Sequence, residues 1–172
     1  MRPIERKNDP LVIAGFPGVG KSYFCERVKR DDIIEIESTP YRTSKDWPNN
    51  YIVDIQKAYN SQQYSYIFIS CHAEVRKALV AINIPYIIVA PYDFPEPDKV
   101  DNYNTHRRMQ NDYLHRYINR GASLNFIYKI MFNWNFYLQS IRDDPAIKYW
   151  LINPYENIYD VLSTYEGEDF PF

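Results

Sequence analysis

Apolar residues fall along this chain in short unbroken runs, separated by stretches of helical period. The first run is Leu11-Val12-Ile13-Ala14. Further strands are expected at Asp31–Ser38, which ends in polar residues, and at Tyr64–Ser70, Ile84–Ala90 and Lys148–Ile152. Runs of this length without in–out alternation predict strands buried on both faces, the habit of parallel sheets. Between them the period changes. Phe24, Cys25 and Val28 follow the first run. Ile52, Ile55 and Tyr59 follow a turn at Trp47-Pro48-Asn49-Asn50, and Val75, Leu79 and Ile82 lie in or just past His72–Ala81, each set on one face of a helix. Two long helices are predicted next. One, near 101–119, carries Met109, Tyr113 and Tyr117 on one side. The other runs a single seam through Leu124, Ile127, Met131, Trp134, Leu138 and Ile141. Ile158, Val161 and Leu162 predict a terminal helix. Asp93 to Asp101, with Pro95 and Pro97 among charges, reads as an exposed loop.

Strands alternating with helices predict an α/β fold, a five-stranded parallel sheet with helices on both faces. The 172 residues suit one domain with one buried core. Within it, 1–10 is a polar N-terminal segment, about 92–122 a helical lid region, and 165–172 an acidic tail. Ligands of such sheets bind beyond the strand C-termini. Chemistry is therefore expected after Ala14, Ile36, Ile69, Val89 and Ile152.

The first of these ends is where the glycines concentrate. Residues 15–22 read Gly-Phe-Pro-Gly-Val-Gly-Lys-Ser, a complete G-x-x-x-x-G-K-[ST] phosphate-binding loop, and they hold three of only five glycines in the chain. Strand, loop and helix follow in the order the motif requires. Gly15, Phe16, Pro17, Gly18, Val19, Gly20, Lys21, Ser22 and Tyr23 are thus the expected ATP-binding residues, with Lys21 on the β/γ-phosphates and the Ser22 hydroxyl on Mg²⁺. The expected fold is that of the P-loop NTPases.

Bulk properties narrow the partners. Twenty basic and twenty-two acidic residues give a net charge of −2, which argues against a general nucleic-acid binder. Cys25 and Cys71 lack metal spacing and read as reduced thiols of a cytoplasmic protein. No apolar stretch approaches the ~20 residues of a membrane span. No secretion signal is evident at the N-terminus. The chain is expected to be a monomer or a homodimer.

Three enzyme classes share the loop. A GTPase would carry an Asn-Lys-x-Asp specificity segment and an Asp-x-x-Gly switch, and neither is present. An ATPase motor would end an apolar strand in Asp. Here the third strand ends in Ser70-Cys71-His72 and the fourth in Ala90-Pro91, while Tyr51-Ile52-Val53-Asp54 lies in a predicted helix. A kinase needs an acidic group after the second strand and basic residues on a cover. Glu35 and Glu37, two apart, share one face of a strand. Glu37 is the candidate base for the acceptor hydroxyl, and Glu35 a candidate for water-mediated contact with Mg²⁺. An exposed strand edge with solvated carboxylates is the plainer alternative.

Arg108, Asp112, Arg116 and Arg120 form one helical stripe, with Arg107 and His115 beside it. Arg116 and Arg120 are the candidates for neutralising the transferred phosphoryl group. A surface ion-pair ladder through Asp112 is the alternative. Gly121 reads as a helix stop or hinge. His72 and Arg76 open the third helix at i and i+4, where they could meet an acceptor or form a surface pair. Trp47 could line a pocket for a flat ring or pack in the core. His106 has no partner at metal spacing.

The Gly-x-Pro-Gly-x-Gly-Lys-Ser loop and the acidic pair after the second strand resemble the nucleoside/nucleotide kinase-like group of P-loop proteins. Trp47-Pro48-Asn49-Asn50-Tyr51-Ile52, His72-Ala73-Glu74-Val75-Arg76 and Tyr117-Ile118-Asn119-Arg120-Gly121 further resemble small kinases encoded by tailed bacteriophages, a likeness over most of residues 11–162. One departure is Glu-x-Glu where such proteins commonly carry Asp-x-Asp. The resemblance implies ATP- and Mg²⁺-dependent transfer to a nucleoside, nucleotide or similar small acceptor, in the host cytoplasm if the chain is phage-encoded. A polynucleotide or modified-DNA kinase, or an acceptor-free P-loop ATPase or regulatory module, stands as the alternative.

Overall fold

The computed structural model describes residues 9–94 and 102–165, with the side chains of 102–107 and 163–165 left aside. Most of the polar N-terminal segment, 95–101 of the expected loop and lid, and all but the start of the acidic tail lie outside the described residues, as do the side chains of His106 and Arg107.

Five strands and seven helices lie among the described residues, alternating up to the fourth strand, after which three helices precede the last. They are β1 (Leu11–Gly15), α1 (Lys21–Val28), β2 (Ile33–Glu35), α2 (Asn49–Ser61), β3 (Tyr66–Ser70), α3 (Ala73–Ala81), β4 (Tyr86–Pro91), α4 (Asn102–Asn119), α5 (Leu124–Phe132), α6 (Trp134–Arg142), β5 (Ile147–Leu151) and α7 (Ile158–Tyr165). The strands form one all-parallel sheet in the order β2-β3-β1-β4-β5. Among the described residues two compact units are distinguishable: one takes those up to Gly15 and Lys21–Ile88, the other Phe16–Gly20 and those from Val89 on.

In the first unit β3 lies between β1 and β2, with Gly15 in register with Ser70 and Glu35 with Phe68. Val12, Ile13 and Ala14 of β1 and Ile67, Phe68 and Ile69 of β3 are all buried, which is why these runs show no alternation. Phe24 of α1 meets Phe68 edge-on at 5.3 Å. α2 buries Tyr51, Ile52, Ile55 and Ala58, and α3 buries Val75 and Leu79.

The second strand is shorter than its sequence suggests. Pairing as a strand stops at Glu35, although Ile36 N–H still reaches the carbonyl of Phe68 at 2.9 Å. The chain then turns, because Ser38 O accepts from the N–H groups of Tyr41 and Arg42. Glu37 therefore stands just past the strand and is exposed.

In the second unit Met109, Tyr113 and Tyr117 form the buried face of α4, as their spacing requires. Gly121 ends this helix in the left-handed region at φ 71°, with Gly121 N–H on Ile118 O and Ala122 N–H on Tyr117 O, both at 3.0 Å. That paired arrangement is a Schellman stop. Ser123 then caps α5 by accepting from Phe126 N–H at 3.2 Å.

The single long helix expected over 124–141 is two helices. The Asn133 side chain donates to Lys129 O at 2.8 Å, competing with the backbone ladder where α5 gives way to α6. The buried seam moves accordingly to Ile130, Trp134, Leu138 and Ile141, leaving Leu124 exposed. Asp93 also departs from expectation. It is 4 % exposed rather than the head of a solvated loop, and it accepts from the Trp134 indole at 2.7 Å.

Candidate phosphate-binding site

The sheet order β2-β3-β1-β4-β5 has one reversal of direction, which marks a candidate position. From β1 the chain crosses β3 to reach β2, and from β3 it crosses back past β1 to reach β4. The connections thus diverge between the C-terminal ends of β1 and β3, at the registered pair Gly15 and Ser70. Ligands of open parallel sheets bind at such reversals. Gly15 is also the first residue of the glycine loop.

In the second unit the segment Phe16–Gly20 is held by its carbonyl groups. Pro17 O accepts from the Tyr117 hydroxyl at 2.7 Å, Gly18 O from Arg116 Nη1 at 2.9 Å, and Val19 O from Ile158 N–H at 2.8 Å. A trans peptide points its N–H opposite to its C=O. The N–H groups of Gly18 and Gly20 therefore face away from the donors on α4 and α7. Among the described residues neither donates to a backbone carbonyl. With φ of 87° and 93° on either side of Val19, these two glycines have the alternation of a backbone nest for anions.

Both positions also exclude a side chain. A Cβ on Gly18 would sit 2.9 Å from Tyr117 Cε1, and one on Gly20 would sit 3.2 Å from Asn157 Cβ. The side chains of Phe16 and Val19, both expected among the nucleotide contacts, are buried and leave only backbone on the loop surface. Phe16 meets Trp134 edge-on at 5.3 Å and Tyr113 at 6.1 Å.

In the first unit the chain resumes with Lys21, whose Nζ donates back to Gly15 O at 3.2 Å. The Ser22 hydroxyl hydrogen-bonds to Glu35, and Glu35 in turn shares a hydrogen bond with Glu37. Burial pushes the Glu35 carboxyl above its ordinary value and Glu37 adds to this, while Ser22 and Lys21 oppose it. Lys21, Ser22, Glu35 and Glu37 thus lie within one another's electrostatic reach. Among the described residues no three His, Cys, Asp or Glu side chains gather as a metal cage. A hydroxyl with one or two carboxylates is the oxygen set that Mg²⁺ takes when phosphates and water complete its shell, so these residues fit that ion. Tyr23, last of the expected nucleotide contacts, is exposed and accepts from Arg27 at 2.8 Å.

Glu35 and Glu37 also line an open cleft of about 490 Å³ with Pro40, Tyr41 and Asp54. Trp47 and His72 form a neighbouring aromatic group. The Trp47 indole donates to Glu74 at 3.0 Å, stacks on Tyr51 at 5.5 Å and meets His72 edge-on at 5.3 Å. Behind them runs a polar chain not anticipated from sequence. Ser70 Oγ donates to Ser38 Oγ at 2.8 Å, and Ser38 Oγ lies 3.4 Å from His72 Nε2. Tyr51 OH donates to Ile36 O at 2.5 Å and accepts from Ser70 N–H at 3.1 Å. Only the placement of two serines at strand ends could have hinted at this. Arg76 is not the surface residue its helix position allowed. It is 3 % exposed, with Nη1 at 3.4 Å from both the carbonyl and the sulfur of Cys71.

The arginine stripe divides on inspection. Arg116 donates through Nε to Asp112 at 2.8 Å, through Nη1 to Gly18 O, and through Nη2 to the carbonyls of Pro154 and Glu156. Arg120 lies over the rings of Tyr117 and Phe126 at 4.9 and 5.0 Å, and Arg108 over that of Tyr155.

Compared with known proteins, the chain matches no protein-family model, no curated protein and no solved structure. Among the described residues no helix is long and apolar enough to cross a membrane.

Proposed function

We propose that the chain is an ATP- and Mg²⁺-dependent phosphotransferase acting on a nucleoside, a nucleotide or a related small acceptor. The observation that carries this reading is the outward hold on the carbonyls of Pro17, Gly18 and Val19, which turns the Gly18 and Gly20 amides to the opposite side as anion donors. Lys21 would add a charge at the β/γ-phosphates, and Ser22 with Glu35 would hold the cation. Bound there, Mg²⁺ neutralises charge on the transferred group.

Glu37 would accept the acceptor hydroxyl proton; its exposure on a cleft, with Glu35 engaged by Ser22, supports that choice. Of the two candidate arginines, Arg120 is the better one to neutralise the transferred phosphoryl group. Releasing it costs exposed cation–π contacts, worth about 0.5–1 kcal/mol. Freeing Arg116 would break its charged hydrogen bonds to Asp112, Gly18, Pro154 and Glu156 together, at a combined cost of about 3 kcal/mol.

Labelled ATP offered with nucleosides, common nucleoside monophosphates and 5′-hydroxyl oligonucleotides tests the proposal. Label should pass to at least one acceptor and not in Lys21→Ala. Hydrolysis of ATP by the native chain with every acceptor unlabelled would replace the kinase by an acceptor-free ATPase. Glu37→Gln should slow transfer by about 10²–10⁴-fold while ATP affinity stays near native.

A further inference from the structure

We propose that the chain pairs with a second copy of itself through an apolar stripe on α5 and α6. Leu124, Tyr128, Phe132 and Phe136 recur every four residues and are 83, 69, 75 and 71 % exposed. The same two helices bury Ile130, Trp134, Leu138 and Ile141. They are therefore apolar on two faces, of which one is buried among the described residues and the other is exposed.

The stripe is nearly continuous. Asn133 N–H reaches Lys129 O at 3.2 Å and Tyr137 N–H reaches Asn133 O at 2.9 Å, which carries helical bonding through the break. The rings of Tyr128 and Phe132 lie stacked, 5.6 Å apart and 15° from parallel. The inner side of α5 is fixed to α4 by Phe126 against Tyr117 at 5.4 Å and by Gln110 Nε2 on Met131 O at 3.4 Å.

Area and charge argue for a second copy. An aromatic side chain brings about 150–250 Å², so three at these exposures, with Leu124, present on the order of 600 Å². That lies at the upper end of the largest patch on a typical monomer, about 300–600 Å². With a rim of Asn125, Asn135 and Gln139 it approaches the roughly 800 Å² per partner of a standard interface. Between Leu124 and Gln139 the only charged residue is Lys129, so the row does not repel its own copy. A lipid surface would call for a polar face rich in Lys and Arg, which these helices lack. In an antiparallel two-fold pairing Leu124 would oppose Phe136 and Tyr128 would oppose Phe132, so that each ring meets an apolar partner.

Sedimentation equilibrium of the full chain over a wide concentration range tests this. Native protein should approach twice the 20.6 kDa chain mass. Tyr128→Lys and Phe132→Glu should each sediment as single chains with unchanged helical circular dichroism and unchanged ATP binding. An equimolar mixture of the two should regain the dimer, since the new charges then face one another, and this separates a lost interface from a lost fold. Native protein that stays at the single-chain mass would overturn the proposal. So would a dimer that survives both substitutions, or binding of the native single chain to lipid vesicles or to another protein through this stripe.

Discussion

The hydroxyl of Tyr117 donates to the carbonyl oxygen of Pro17 at 2.7 Å, across one hundred residues of sequence. With Arg116 on Gly18 O, it makes α4 the outer wall of the glycine loop. The helix that reads in sequence as a basic cover thus spends its central arginine and tyrosine on the backbone of the loop.

Removing these holds should loosen the loop by different amounts. Tyr117→Phe keeps the ring and loses one neutral hydrogen bond, about 1 kcal/mol. Arg116→Met loses the contacts to Gly18, Pro154 and Glu156 together, which we set at about 3 kcal/mol. At about 2–4 °C per kcal/mol for a chain of this size, the thermal midpoint should fall by about 2–4 °C and 6–12 °C respectively. Differential scanning calorimetry measures both. An Arg116→Met midpoint equal to native would show that the clamp contributes nothing.

Gly18 and Gly121 both have positive φ, yet their alanine variants should behave differently. At Gly18 the new Cβ meets Tyr117 Cε1 at 2.9 Å, whereas at Gly121 nothing lies within 4 Å. Gly121→Ala should cost only the left-handed backbone penalty, about 1–2 kcal/mol, and Gly121→Asn less still. Gly18→Ala adds a clash against a buried ring and should be the more destabilised in urea. Equal midpoints for the two alanine variants would refute the contact.

Much of this was legible in the sequence because it depends on short-range pattern. The unbroken runs at Val12–Ala14 and Ile67–Ile69 announced buried parallel strands, and the glycine loop announced itself by composition. The period of Met109, Tyr113 and Tyr117 fixed one face of α4. Illegible features were those decided by a distant partner. Asp93 looks like a loop residue until the Trp134 indole is found against it. Asn133 is a local exception: it breaks a good apolar seam through one side-chain hydrogen bond to Lys129 O within its own helical turn, where an Asn gives no pattern signal. Arg116 looks like any member of a charged stripe, because the carbonyls it binds carry no side-chain signature.

Cys25 follows the loop and invites suspicion as a reactive thiol, but its surroundings say otherwise. Burial, followed by the charge of Glu35, pushes the thiol up to about 11, and Lys21 only partly offsets this. Only the thiolate reacts, and an ordinary free cysteine titrates near 8.5. Alkylation of Cys25 by iodoacetamide at mildly alkaline pH should therefore run roughly 10²-fold slower than that of a free cysteine peptide. Peptide mapping by mass spectrometry gives the rate. Labelling as fast as the free peptide would contradict the burial assigned to this sulfur.

Glu35 should link stability and the proposed cation binding in opposite senses. Burial is the main reason its carboxyl lies above the ordinary value of 4.5, with Glu37 adding to the shift. Folding then favours the protonated form. The stability this group contributes is full below the unfolded value and is lost as pH rises through the higher folded one. Glu35→Gln is neutral at every pH and still offers an oxygen to the Ser22 hydroxyl. Without ligand, the variant should melt above native at neutral and mildly alkaline pH, and the gap should close as the solution is acidified. With Mg²⁺ and ATP present the order should reverse, because native protein gains an anionic oxygen for the cation and the variant does not. Thermal melts across pH, with and without Mg²⁺–ATP, read both effects on one protein. A variant less stable than native at neutral pH without ligand would sink the first claim, and equal gains on adding Mg²⁺–ATP would sink the second.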